Sequence, residues 1–270
     1  MKHREGLARL ISRIRSKHKY DDPLPEKAVH KLLFFADQEA RKRDIPLSVP
    51  YFWYRYGTLS PLPSPTTEPT NKLGGGITDD DIDLLASTVL DQYYGTSLED
   101  LTDLMYEFAP YQVQQDWRVL DKQLRTHHSE YHNFYEVNPS RESIRESTKA
   151  VYENFPVEQY PGYERDLTRW YSAITRELYN DEMSVERMME VNTTFWGTFS
   201  ITLARNHRHE IDLEGVKQVL SVDSLEAAHE QRRKLIRKFD SEGVTDKFAG
   251  YTVNDVEERA VEALADTVIK

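Results

Sequence analysis

The sequence predicts an all-α fold with at most one short strand, near residues 51–56. Apolar residues recur at i, i+3, i+4 and i+7 in one segment after another, the period of a helix that buries one face. Only the stretch Tyr51 to Tyr56 suits an extended chain, and prolines, glycines and helix caps punctuate the rest. There is no fixed-period repeat and no long heptad run.

Residues 2–18 read as a basic amphipathic helix. Leu7, Leu10, Ile11 and Ile14 form its apolar stripe, with Arg9, Arg13, Arg15 and Lys17 around it. Asp21-Asp22-Pro23 breaks it. A second helix opens at Pro25, a residue suited to a first helical turn, and runs to about Arg43. Its stripe is Val29, Leu32, Leu33, Ala36 and Ala40, widened by Phe34 and Phe35, and Ile45-Pro46 stops it. The densest aromatic stretch follows, Tyr51-Phe52-Trp53-Tyr54-Arg55-Tyr56-Gly57. Residues 60–78, with prolines at 61, 63, 65 and 69 and glycines at 74, 75 and 76, read as a flexible surface loop.

Thr78-x-x-Asp81 caps the next helix, which carries Ile82, Leu85, Ala86, Val89, Leu90 and Tyr93 and ends at Gly95. Ser97-x-x-Asp100 caps another, with Leu98, Leu101, Leu104, Met105 and Phe108 on its stripe and Pro110 at its close. The short connection between the two implies an antiparallel helical hairpin. Further helices are expected at 112–135, 139–155, 163–180, 184–208, 212–221, 223–241 and 253–269. Asn138-Pro139, Ser184, Asp223-x-x-Glu226 and Thr252-x-x-Asp255 supply start signals for four of them.

Composition narrows the function classes. The 270 residues contain no cysteine, which removes disulfides, thiol nucleophiles, iron–sulfur clusters and thiolate zinc sites. A formal charge of −11 excludes a uniformly basic nucleic-acid coat. No run of 18 apolar residues exists, and the amino terminus lacks the apolar stretch of a secretory signal, so a soluble cytoplasmic protein with no membrane partner is expected. The charge is unevenly placed: residues 1–60 carry a net +6 and residues 61–120 a net −9. Such polarity either steers a charged partner or keeps the surface soluble.

Two blocks of sequence carry a family resemblance. The first is Ala28-Val29-His30-Lys31-Leu32-Leu33-Phe34-Phe35-Ala36-Asp37 followed by Tyr51-x-x-Tyr54-Arg55-Tyr56-Gly57. The second runs from Val89 to Thr102 and contains Tyr93-Tyr94-Gly95 and then Ser97-Leu98-Glu99-Asp100-Leu101-Thr102. Together they resemble the Panacea domain, a phage-associated, SocA-like family with a helix reading roughly K-L-L-Y-F-A, a W-x-Y-G-P segment, and a later helix ending in Y-G before S-x-x-x-L-[ST]. The resemblance covers about residues 7–120. This chain departs from the pattern at Thr58, where the family has Pro, at Met105-Tyr106, where a Thr-His pair is expected, and in its longer 60–78 loop. Residues 1–120 are therefore expected to form a Panacea-like helical domain, and residues 121–270 a second helical region that serves a specific partner.

The resemblance implies a helical, non-enzymatic antitoxin that neutralises a cognate protein toxin by direct binding. In the residues themselves there is no phosphate-binding glycine loop, nucleophile elbow or cofactor motif, so no enzyme, no cofactor and no metal is expected. His128 and His132, with His127 and Glu130, lie one helical turn apart but lack a third ligand at recognisable spacing. The candidate partner-binding residues are Trp53, Arg55, Tyr56 and Gly57, since Trp, Tyr and Arg dominate binding hot spots. In an extended segment Phe52, Tyr54 and Tyr56 pack on the preceding helix, or serve the partner, while Trp53 and Arg55 face the other way. The alternative is a DNA-binding regulator of viral or mobile-element origin that uses Arg9, Arg13, Arg15 and Lys17 on phosphates. Those four residues could equally dock the acidic 79–103 region of the same chain. A second basic run, Arg232 to Lys238, reads as a solvated helix face.

Overall fold

The structure is a computed structural model and describes residues 4–18, 24–62, 77–93, 95–128 and 138–238. It is mostly helical, as the periodicity requires. In chain order come α1 (Arg4–Lys17), α2 (Glu26–Lys42), β1 (Tyr51–Tyr54), β2 (Gly57–Leu59), α3 (Asp79–Gln92), α4 (Leu98–Tyr106), α5 (Gln112–His128) and α6 (Arg141–Glu153). A short 3₁₀ turn at Pro161–Tyr163 leads into α7 (Glu164–Tyr179). Then follow α8 (Val185–Asn206), β3 (Arg208–His209), α9 (Leu213–Leu220) and α10 (Leu225–Lys238). The helix expected at 253–269, most of the 60–78 loop and the cluster around His132 lie outside the described residues.

Local signals place several boundaries. Thr78 and Asp81 form a reciprocal capping box at the start of α3, worth about 1 kcal/mol. Ser97 accepts the Asp100 N–H at 3.0 Å, and Ser184 that of Arg187 at 3.3 Å. At α6 the cap is Ser140, which accepts the Ser143 N–H, rather than Asn138 two residues earlier. Gly95 takes φ +74 just beyond α3, a left-handed conformation that stops a helix without a Cβ penalty.

The expected single strand is the middle of a small antiparallel sheet in the order β2-β1-β3. β1 and β2 form a tight hairpin in which Tyr54 pairs with Gly57, and β3 pairs Tyr51 with His209 and Phe52 with Arg208. The backbone of Trp53 also donates to the His207 carbonyl at 2.9 Å.

The chain divides into two compact units, Met1–Met105 with Thr202–Ser224, and Tyr106–Ile201 with Leu225–Lys270. The expected division at residue 120 falls inside α5, and residues 202–224 return to the first unit. In that first unit α1 and α2 pack on α3, and α2 also covers β2. The stripe residues Leu7, Leu10, Ile11 and Ile14 are all buried, as are Ile82, Leu85, Ala86 and Val89 opposite them on α3. The second unit is an aromatic core on α5, α7 and α8. The Trp117 and Trp196 rings stack with centroids 4.5 Å apart and a 7° interplanar angle, and Trp170 stacks on Phe195 at 5.3 Å. Rings of this size dominate core energetics because each removes a large apolar area from water.

Candidate interaction site

The hairpin sits on α2 in the first unit, and its geometry follows from the residues at its turn. Gly57 has φ +106, a region an L side chain rarely occupies, and a Cβ there would stand 2.2 Å from the Met105 sulfur. The missing side chain lets α4 approach the strand. The Thr58 N–H then points at the Met105 sulfur, 3.1 Å away. From below, buried Lys31 of α2 donates to the Tyr56 carbonyl at 2.6 Å. His30, one residue earlier, accepts the Ser60 N–H on Nδ1 at 3.1 Å, and burial lowers its pKa to about 4. It serves as a neutral acceptor that ties the end of the hairpin to α2.

Trp53 is not where alternation put it. It is 5% exposed, and its ring meets Phe34 edge-on at 6.0 Å, so both Phe52 and Trp53 are buried. A strand covered on both faces loses its exposed side, and the alternation argument fails there. Arg55 and Tyr56 lie at the turn between β1 and β2, both half-buried, and Gly57 is buried. Of the four candidates, Arg55 and Tyr56 are the two that keep partial exposure; Gly57 shapes the turn.

The basic helix is engaged with the chain's own acids. Arg9 pairs with Asp79 at 2.6 Å, Arg13 with Asp83 at 3.0 Å, and Lys17 with Asp83 at 3.5 Å and the Ser87 hydroxyl at 2.9 Å. Arg15 is exposed. Partly exposed pairs of this kind contribute about 0–1 kcal/mol each, so the ionic contacts set register while the apolar stripe supplies the energy. In the second unit the first two residues of the basic run are likewise put to structural use, while Lys234 is exposed as a solvated face would have it. Arg232 donates to the Gly197 carbonyl at 2.5 Å, and Arg233 reaches buried Asp166 at 2.6 Å, holding α10 in place.

A polar cluster that sequence reasoning missed lies where β3 meets the end of α2. The Asp37 side chain is 1% exposed; it accepts the Val49 N–H at 2.9 Å and pairs with Arg41 at 2.7 Å. Burial raises its pKa, against the lowering effect of those partners. His209 Nε2 stands 2.9 Å from the Arg41 guanidinium and 2.8 Å from the Ser48 hydroxyl, with the Tyr51 ring 5.2 Å away. A guanidinium only donates, so it takes the Nε2 lone pair that a base would need to activate Ser48. The cluster fastens the returning strand rather than arming a nucleophile. No local pattern announces it, because Ser48 and His209 are 161 residues apart.

Among the described residues no group of three or more His, Asp or Glu is placed to hold a metal ion, and no helix is long and apolar enough to cross a membrane. His132 and Glu130 lie outside the described residues. Set against family models, curated proteins and solved structures, the chain has no match in any of the three.

Proposed function

We propose that this chain is an antitoxin-like interaction protein that neutralises a cognate protein toxin by binding it directly. One observation carries the reading. The two stretches that resemble the Panacea domain meet in a single compact unit: Phe35 of α2, in the first stretch, stacks on Tyr93 beyond α3, in the second, at 4.4 Å. Their meeting supports the reading, since residues far apart in sequence that carry one family's pattern lie side by side.

The half-buried Arg55 and Tyr56 at the hairpin turn supply aromatic and guanidinium groups of the kind that anchor interfaces. Counting against a DNA-binding regulator, Arg9, Arg13 and Lys17 already face the carboxylates of α3. Counterion release, the source of phosphate affinity, is reduced for cations held that way.

The test is genetic and direct. A small open reading frame is expected beside this gene, and it is expressed alone and then with this chain. Growth arrest by the first and rescue by the second are expected, with a stable complex on co-purification. A neighbour that is harmless alone, or toxicity that this chain does not relieve, overturns the reading.

A further inference from the structure

Helix α10 is held to the second unit by a polar face. Leu225, His229, Arg232, Arg233 and Ile236 fall at i, i+4, i+7, i+8 and i+11, on one side of the helix. From Leu225 to Ile236 only those two end residues are buried. A surface helix of a globular protein normally buries a continuous apolar stripe, and here the middle of the stripe is one histidine and two arginines.

The receiving surface, on the start of α7 and the middle of α8, is made of acceptors. Arg233 spans the Asp166 carboxylate, 2.6 Å from Nε, and the Gly162 carbonyl, 3.0 Å from its outer nitrogen. Arg232 donates to the Gly197 carbonyl at 2.5 Å, and His229 Nε2 lies 2.5 Å from the Tyr163 hydroxyl. A planar guanidinium serves two acceptors at once, which the point charge of a lysine does not. The surface therefore selects arginine, and it selects it on a helix.

Little opposes the departure of α10. Arg169 lies on α7 with Asp166, 3.3 Å away, so the carboxylate keeps a cation when Arg233 leaves. Only Leu225 and Ile236 are drawn out of the interior with it, whereas α5, α7 and α8 are locked by stacked rings. Elements with few buried apolar contacts open ahead of the rest of a fold.

We propose that this α7–α8 surface is a docking site for an arginine-bearing helix of the protein partner, with α10 as the resident latch that swings off to admit it. The proposal rests on the reading that the chain acts by binding a protein. It adds a second contact surface and the chemistry that surface accepts.

Hydrogen exchange on the 270-residue chain is the first measurement. The α10 amides are expected to exchange about a hundredfold faster than those of Trp196 and Phe199, through local opening of the latch. The second measurement titrates a capped peptide of residues 225–238 into the isotope-labelled chain carrying Arg232→Gln and Arg233→Gln, whose own latch has lost both cations. The peptide is expected to shift the amide signals of Gly162, Asp166 and Gly197. It should bind about tenfold more tightly than copies with glutamine or lysine at both arginine positions. The parent chain, whose latch competes as an attached segment, should respond about tenfold more weakly or less. Exchange of α10 and α8 at one rate, silence of the three signals, or equal affinity for the three peptides overturns the proposal. A doubled mass of the parent chain that the peptide reverses would give the surface to a second copy, and overturns it too. The exchange measurement needs no variant, and no partner protein enters either one, so failure here is distinct from a failure to rescue growth.

Discussion

Gly57 and Met105 occupy one space: the sulfur of the second stands 2.2 Å from the position a Cβ on the first would take. Gly57→Ala therefore meets both a clash and a left-handed backbone that alanine tolerates poorly. A loss of about 2–5 kcal/mol in unfolding free energy is expected from urea titration. Met105→Ala in the same chain should recover the clash but not the backbone strain, so the double variant is more stable than the two losses added together.

His30 gives the protein a pH dependence with a definite sign. Its pKa falls from 6.5 to about 4 on folding, so between those values the unfolded chain binds a proton that the native chain does not. The stabilisation from neutral His30 is complete above pH 6.5 and drains as pH falls towards 4, at up to about 1.4 kcal/mol per pH unit. His30→Asn keeps an acceptor near the Ser60 N–H and cannot titrate. Its unfolding free energy, measured from pH 7 to 5, should fall less steeply than that of the parent; equal slopes would remove His30 from the account.

Asp166 is the buried charge on which the second unit depends. Its carboxylate, 1% exposed, meets Arg169 at 3.3 Å and Arg233 at 2.6 Å. Removing it leaves two guanidinium groups facing one another, and Asp166→Ala is expected to cost about 3–5 kcal/mol. Arg233→Gln touches the more exposed partner and should cost clearly less. Thermal unfolding of the two variants checks the order.

On α1 the apolar stripe should outweigh the ion pairs. Arg9→Gln and Arg13→Gln are each expected to cost below about 1 kcal/mol, and less still at high salt. Leu10→Ala, at a fully buried position, should cost about 2–5 kcal/mol at any salt concentration. Urea midpoints at two ionic strengths separate the contributions.

Arg55 lies at the hairpin turn and is half-buried there. Arg55→Ala is expected to leave the unfolding free energy within about 0.5 kcal/mol, as surface changes do. Rescue of growth in the co-expression assay should weaken at the same time. Undiminished rescue would move the contact surface away from the turn.

Most helices were legible because their burial is local. Val29, Leu32, Leu33, Ala36 and Ala40 repeat at helical spacing, and all five are buried on one side of α2. Thr78 and Asp81 mark the start of α3 for an equally local reason, since cap and capped N–H lie three residues apart. The candidate site was legible only in part. Tyr51 to Gly57 stood out by ring density, but Trp53 is buried because its ring, like that of Tyr51, meets Phe34 of α2, and alternation within the strand does not encode which face the helix covers. The pairing of β1 with β3 escaped for a related reason. Two residues carry no period, and the contact spans more than 150 positions, so Arg208 read as the tail of a helix and His209 as part of the connection after it, not as the partner of Ser48, Arg41 and Tyr51.

The sheet that places the hairpin is completed by residues 208–209, from the far side of a stretch of about a hundred positions that folds elsewhere. A gene fragment stopped at residue 120 would leave Tyr51 and Phe52 with a bare strand edge and Trp53 without the His207 carbonyl. Mapping the contact of the proposed partner by shortening the gene would then record an unravelled margin as a missing handshake. Single-residue exchanges keep both halves of the sheet and report the handshake itself.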